Sequence, residues 1–345
     1  MSGIAELTGT GPSRGTARAS TARVRHSHPI LDMVGRRLAV GVVTLFLVTI
    51  VIFTATEVLP GNAAYAVLGH SATPARIKAL ELQLHLNRPK VVQYWSWITG
   101  VLHGRLGVSL ANGESVAHLI GPRIMNSAVL VILSGLIGTV LAVALGVIAA
   151  ARRDGWFDNV MSVISLAITA LPEFVVAIVL VMAFAALWLH ILPSVSMIPP
   201  GVSAWSQPRM LVLPVTTLVI VTVPYIFRMV RGAMIEALES DYVEMAKLKG
   251  LPPWRVLLVH SLPNAIAPSI QVIGLSLLYL AGGIVVVEYV FAFPGIGAGL
   301  VDAVSNRDIP TIQFIVLVLA AFYVFMNILT DVVALIATPR RRLPR

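Results

Sequence analysis

Five stretches of this chain carry no charged residue over a length that matches a lipid bilayer. With His counted as neutral they are Leu38–Thr56 (19 residues), Ile124–Ala151 (28), Met210–Phe227 (18), Val256–Val287 (32) and Ile309–Thr330 (22). About 20 apolar residues cross a hydrocarbon core as a helix. A sixth window, Asn159 to about Leu189, is similarly apolar but is interrupted by Pro172 and Glu173. A membrane helix tolerates such a break only where neighbouring helices or a water-filled cavity satisfy the freed backbone. The chain therefore reads as an all-α integral membrane protein with six transmembrane helices. Composition agrees: 57% of its 345 residues are apolar and 12% charged, too little polar covering for a soluble globule.

Six crossings place both termini on one side, and the basic residues indicate which. With the N-terminus in the cytoplasm, cytoplasmic segments hold 17 of the 25 Lys and Arg. Six of the remaining 8 lie in one long loop, residues 58–123, of a length that translocates largely regardless of charge. Among the short loops the ratio is 17 to 2, which fixes the expected orientation: a multi-pass membrane protein with both ends in the cytoplasm. The net charge of +9 is then a product of topology, and no nucleic-acid partner is expected.

The absence of cysteine excludes disulfide frameworks, thiol nucleophiles and cysteine metal sites together. Residues 1–35 are Ser, Thr, Gly and Arg rich and read as a disordered cytoplasmic tail. A signal peptide is the rival reading, but 19 uncharged residues exceed the usual apolar core and no clear small-residue cleavage site follows. The first helix is expected over 36–57 and a polar extracytoplasmic module over 58–123, with helices at Pro74–Leu86 and Lys90–Leu102. The five remaining spans fall within 124–337, and a basic tail occupies 338–345. Two further outer segments are His190–Arg209, too rich in proline for a regular helix, and Glu288–Pro310. No fixed-period repeat and no mirrored pair of broken helices is present, which weakens a self-contained secondary transporter.

Residues 232–264 form a polar, amphipathic island between two apolar runs, expected on the cytoplasmic side. It reads as two short helices joined by a break. In the first, Ile235, Leu238, Tyr242 and Met245 share a face, with acids Glu236, Glu239, Asp241 and Glu244 early and Lys247 and Lys249 late, the order favoured by the helix macrodipole. Gly250 supplies the positive φ usual just past a helix end, and Pro252-Pro253 pre-sets the next first turn. The second helix is expected over about Trp254–Ser261, closing at Leu262-Pro263-Asn264.

Glu236-Ala237, Asp241-Tyr242-Val243, Ala246, Gly250, His260 and Leu262-Pro263-Asn264 resemble, in order and spacing, the EAA loop of permease subunits of bacterial ABC importers in the dipeptide/oligopeptide/nickel branch. The resemblance extends to Leu59-Pro60-Gly61, Leu86–Tyr94, Gly107-Val108-Ser109, Val285–Gly297, Arg307-Asp308-Ile309-Pro310, Asn327, Asp331 and Pro339-Arg340, and covers about residues 36–342, in the B-type subunit of the heterodimer. Three positions depart from the pattern: Arg105 and Asn87, where Asp is usual or common, and Thr338, where Asp usually precedes Pro-Arg.

The resemblance implies a type I ABC-importer permease core whose island is a coupling helix pair seated in a separate ATPase subunit, with Glu236, Ala237, Asp241, Tyr242, Ala246, Gly250, Arg255 and His260 as coupling residues. It implies as partners a homologous second permease, one or two ATPase subunits, an extracytoplasmic binding protein and a peptide substrate, in the lipid membrane, which the resemblance makes a bacterial cytoplasmic (inner) membrane. The chain has no G-x-x-x-x-G-K-[ST], so ATP and Mg are expected on the ATPase subunits, with no cofactor and no metal bound here. It also lacks H-E-x-x-H and G-x-S-x-G and so is not expected to be an enzyme. Ionisable and polar groups inside the spans are the substrate-pathway candidates: Glu173, Gln271, Tyr279 and Glu288. Glu173 also fits a structural hydrogen bond at a kink, and Tyr279 and Gln271 also fit helix packing. For Glu288, contact with the binding protein, an outer gate and simple solvation are all open. Phe293, Pro294, Arg307 and Asp308 are candidates for binding-protein docking or the gate, and Asp331 is expected to pair with Arg228 or Arg231. Nickel uptake is the alternative within the family, disfavoured by the lack of a His cluster at ligand spacing in the spans. An ion-coupled secondary transporter has only Glu173 as a deep coupling group.

Overall fold

The computed structural model describes residues 29–58, 73–83, 87–187 and 189–337. The expectations for residues 1–28, for the C-terminal tail, for Leu59-Pro60-Gly61 and for Leu86 lie outside the described residues, whereas residues 29–35, expected in the disordered tail, are the start of the first helix. The described chain is helical, with one isolated bridge, Val108 to Ser115. In order the helices are α1 (Pro29–Val58), α2 (Pro74–Gln83), α3 (Lys90–Leu102), α4 (Val116–Ala151), α5 (Trp156–Thr169), α6 (Glu173–Val181), α7 (Pro208–Leu238), α8 (Asp241–Leu248), α9 (Pro253–Val290), α10 (Ile296–Ser305) and α11 (Ile309–Ala337). Five of them, α1, α4, α7, α9 and α11, are long and apolar enough to cross a membrane, and the bent pair α5–α6 makes a sixth.

Helix direction follows from a few contacts. Gly138 of α4 faces Val219 of α7, and eight residues on, Gly146 faces Val230, so α4 and α7 run parallel. A parallel pair requires the chain to recross between them, and α5–α6 makes that crossing. Close approach is possible because Gly146 has no side chain: a Cβ there would lie 2.9 Å from Val230 Cγ1 and 3.2 Å from the Arg231 amide nitrogen. Small residues at such seams are the usual means of packing helices in lipid. Helix α7 is the centre of the bundle, with 67% of its apolar window buried, against 17% for α1 and 22% for α11. Helices α1 and α11 pair antiparallel at the periphery, tied by Gln313 Nε2 donating to Thr56 Oγ1 at 3.0 Å and by Arg37 with Asp331 at 3.0 Å.

The second span begins at Val116, eight residues before the expected boundary at 124, because the chain stays helical through Pro122 and Arg123 before its charge-free run begins. The third span is bent by 106° between α5 and α6. Pro172 explains the break: it has no N–H to donate to the turn before it and holds Leu171 away from helical geometry, and at φ −62°, ψ 147° it starts α6. Helices at Pro74–Gln83 and Lys90–Leu102 agree, as far as the described residues reach, with the pair expected between the first two spans. His190–Arg209 is irregular apart from a short 3₁₀ turn at Ala204–Ser206 and the start of α7 at Pro208.

Candidate functional site

The island takes a different shape from the one its sequence suggests. Ile235, Glu236, Ala237 and Leu238 are the last turn of α7, and the chain breaks at Glu239-Ser240 before α8 begins. Ser240 donates its hydroxyl to the Ala237 carbonyl at 2.5 Å, closing α7, while its own carbonyl receives the Val243 and Glu244 amides at 3.0 and 3.1 Å. The acid-to-base gradient therefore belongs to α8 alone, with Asp241 and Glu244 in its first turn and Lys247 in its last. Glu236 and Glu239 sit at the C-terminal end of α7, which the macrodipole makes unfavourable for acids. Glu239 is stabilised instead by an ion pair with Arg153.

Gly250, at φ +74°, ends α8 in a Schellman turn: its amide donates to the Lys247 carbonyl at 2.9 Å and the Leu251 amide to the Ala246 carbonyl at 3.3 Å. Nothing lies within 4 Å of an added Cβ at Gly250, so the position requires glycine for its dihedral and not for space. Leu251 packs with Val243, Ala246 and Val256 in a small core. Pro252 at ψ 145° then starts a new helix with Pro253 in its first turn. That helix does not close at Leu262-Pro263-Asn264 as its sequence suggests. It widens into a π-turn over Val256–Ser261 and runs on into the fifth span. Pro263 accounts for both points, since its ring would clash with the Val259 carbonyl in a regular α-turn and the wider turn relieves that contact.

Helix α8 is thus a short rod held between two long spans by a kink and a glycine elbow. Val243 and Ala246 face inward, and the outward face carries Tyr242 (44% exposed), Met245 (54%) and Leu248 (76%). The expected stripe is corrected accordingly, because the break at Glu239-Ser240 resets the helical phase: Tyr242 and Met245 do not share the buried face with Leu238. Trp254 adds 63% of its surface to the same loop, while Ala237 is buried. Glu236, Asp241 and Arg255 are exposed and His260 is half-buried, with the His260 ring near the Arg255 carbonyl at 3.3 Å.

Behind the loop lies a contact that composition does not reveal. Asp158, fully buried at the start of α5, accepts from Arg231 Nε and, at 2.6 Å, from Arg231 Nη2. It also takes the Asp154 amide at 3.0 Å. With Arg153–Glu239, this ties the bent span to the end of α7 that leads into α8. Arg231 is thereby committed, and the expected Asp331 partner is corrected to Arg37, brought alongside by the α1–α11 pairing.

A second group lies between α6, α7 and α9. The Glu173 carboxylate lies against α9, where its Oε1 would be 3.2 Å from a Cβ at Gly283, one turn from Tyr279. The Tyr279 ring lies 5.9 Å from that of Tyr225, and Arg228 sits 5.7 Å above Tyr225. These residues form a polar string on one side of the bundle, beside an open hollow of about 270 Å³ that Thr222, Leu275 and Ser276 help to line. Gln271 is exposed about two turns from Tyr279, on the same face of α9. Glu173 therefore stands on this face, at the first turn after the kink.

The structure buries most of the docking and gate candidates, Glu288, Phe293 and Asp308. Glu288 has no accessible surface, so it neither meets solvent nor lines an open path. It accepts from Ser127 Oγ at 2.5 Å, from the Gly297 amide at 2.7 Å and from the Ala298 amide at 3.2 Å, pinning the N-terminus of α10 to α4. Gly295 admits the carboxylate by lacking a Cβ. Phe293 is fully buried, and the Pro294 carbonyl accepts from Asn126 Nδ2 at 2.9 Å. Asp308 is 2% exposed; it takes the Thr311 hydroxyl at 2.7 Å, the Leu110 amide at 3.0 Å and the Ser109 hydroxyl. Of these residues Arg307, at φ +54°, is the one on the surface.

Sequence reasoning missed Asp158, Ser127, Asn126 and Tyr225 as partners of the groups it selected, and set Arg228 beside Asp331 where the structure places it over Tyr225. The available signal was an acid at the boundary of an apolar window, Asp158, read only as a delimiter.

Residues 142–343 match the family described as "Binding-protein-dependent transport system inner membrane component", and residues 30–140 match the N-terminal component model of the same transport systems. The chain is 35% identical over 309 residues to a protein of Sinorhizobium fredii named as a probable peptide ABC transporter permease, covering 89% of this chain and 98% of that one. It is 32% identical over 313 residues to the glutathione transport system permease protein GsiC of Escherichia coli K12, covering 91% and 99%.

Proposed function

The chain belongs to the family of inner-membrane components of binding-protein-dependent transport systems, and from that premise we propose that it is one permease subunit of an ATP-driven peptide importer. It is a multi-pass membrane protein; both termini and the α7–α8–α9 elbow face the cytoplasm in this reading, on the strength of the 17 to 2 charge bias. A homologous second permease completes the translocation path, ATPase subunits bind ATP and Mg and grip α8, and an extracytoplasmic binding protein delivers substrate to the opposite end. The chain itself performs no chemistry.

The observation that carries the reading is the build of α8. A rod of eight residues fixed at both ends and exposing Tyr242, Met245 and Leu248 moves as a body when a partner pushes it. Its ends are joined to α7 and α9, the two helices bearing Tyr225 and Tyr279. Displacement of α8 therefore reaches the polar face beside Glu173, and nucleotide and loaded binding protein bias one two-state equilibrium. Peptides are the favoured cargo because both named relatives transport peptides or glutathione by their names. Co-reconstitution in liposomes tests this reading: labelled di- or tripeptide uptake is expected only with the second permease, the ATPases, the binding protein and ATP together. Uptake by the isolated chain without ATP sinks it.

A further inference from the structure

Between α1, α3 and the first turn of α11 lies an open pocket of about 300 Å³, at the small end of the range for ligand clefts. Its floor is apolar, from Phe53, Trp97, Leu106 and Pro310, and Arg88 and Arg105 stand on its wall. Neither arginine forms an ion pair among the described residues. The acid at the rim is already occupied, since Glu57 holds Lys90 Nζ at 2.5 Å. Two uncompensated guanidinium groups over an apolar floor suit an anion that carries hydrocarbon.

The depth of the pocket points the same way. The charge-free run of α1 ends at Thr56, and Glu57 is part of the lining, so the pocket opens where the hydrocarbon stops. Phe53, Tyr94 and Trp97 cluster there with ring centroids 5.5 to 6.3 Å apart, as aromatic side chains do at a membrane boundary. Helix α3 buries none of its residues and exposes Val91, Trp95 and Leu102, the habit of a helix lying in the interface.

We propose that this pocket binds the phosphate headgroup of an anionic membrane phospholipid, with Arg88 and Arg105 donating to the phosphate oxygens and the glycerol end of the chains resting on Phe53 and Trp97. Arg suits the role because its planar fork binds phosphate through paired hydrogen bonds. Arg105 stands where the resembled family pattern has Asp, so the site belongs to this chain and not to that pattern. The proposal rests on the transmembrane reading but is independent of what is transported. An acidic patch on a docking protein is the rival occupant, disfavoured by the apolar floor.

The test is lipid retention by the full chain, purified with its partner subunits and exchanged into nanodiscs of phosphatidylcholine containing a minor fraction of phosphatidylglycerol. Native mass spectrometry is expected to find phosphatidylglycerol retained in preference to phosphatidylcholine. Arg88→Ala and Arg105→Ala are each expected to lower that preference about tenfold or more, and the Lys variants to keep part of it. Leu106→Trp, which fills the floor and spares both arginines, is expected to evict the lipid. Equal retention of both lipids, or unchanged preference in the Ala variants, overturns the proposal. So does displacement by millimolar inorganic phosphate with the same arginine dependence, which marks a free-phosphate site. Loss of binding-protein cross-linking in the Ala variants with lipid preference intact assigns the arginines to a protein partner and overturns it as well. Failure of the assembled chain to enter nanodiscs counts against the transmembrane reading itself.

Discussion

Arg231 of α7 closes a two-pronged hydrogen bond on the buried carboxylate of Asp158, 73 residues earlier at the start of α5. The pair fastens the bent span, which carries Glu173 at its far helix, to the segment of α7 that leads into the α8 elbow. A buried acid fixed in this way is held by a partner that cannot deprotonate, and removal of either side strands the other.

Asp158→Ala is expected to destabilise the folded chain by about 2–4 kcal/mol, the range for breaking a buried pair reduced for the partial exposure of Arg231. Thermal unfolding in detergent measures it. The double variant Asp158→Leu/Arg231→Met is expected to recover most of the loss, because no charge is then left unpaired. Recovery of stability without recovery of uptake separates a mechanical role from a merely structural one.

Gly250 tests the elbow. Gly250→Ala costs about 1–2 kcal/mol locally through its left-handed backbone, and Gly250→Pro is incompatible with a φ of +74°. The Pro variant is expected to insert normally, seen by membrane fractionation, and to lose ATP-driven peptide uptake. Normal uptake by Gly250→Pro removes α8 from the coupling path.

Glu288 tests the outer end. Glu288→Leu leaves the Gly297 and Ala298 amides without an acceptor and is expected to cost about 2–3 kcal/mol or more. Glu288→Gln keeps one acceptor oxygen and is expected to lose less. Hydrogen exchange should rise in α10 before any other segment, because the carboxylate holds two amides of that helix's first turn against α9.

At Gly146, a Cβ 2.9 Å from Val230 must push α4 away from α7. Gly146→Leu is expected to cost about 1–3 kcal/mol by overpacking and to lower the melting temperature, whereas Gly121, with nothing within 4 Å, should accept alanine with little change.

The spans were legible in the sequence because lipid imposes one requirement, about 20 uncharged residues, that composition states directly. Gly250 and Pro252-Pro253 were legible for a similar reason, since each restricts its own backbone whatever surrounds it. The island's phase was not: the break at Glu239-Ser240 is made by a serine hydroxyl turning back on Ala237 and by Arg153 capturing Glu239, both dependent on a neighbour. The same holds for the outer end. Glu288 and Asp308 resemble exposed acids in sequence, and only the folded positions of Ser127, Ser109 and the α10 amides show that they are buried anchors. Glu173 was legible as unusual because a charge in a span is costly, but the surface it packs against, at Gly283, lies on another helix, 110 residues away.

The most direct test of the account is site-specific photo-crosslinking from Leu248, the most exposed large apolar side chain on α8 at 76%, in membranes containing the complete transporter. Capture of an ATP-binding polypeptide from Leu248, and not from Trp205 in the 3₁₀ turn Ala204–Ser206 that precedes α7, is the predicted result. Capture of lipid alone from Leu248, or of an ATP-binding polypeptide equally from Trp205, contradicts it.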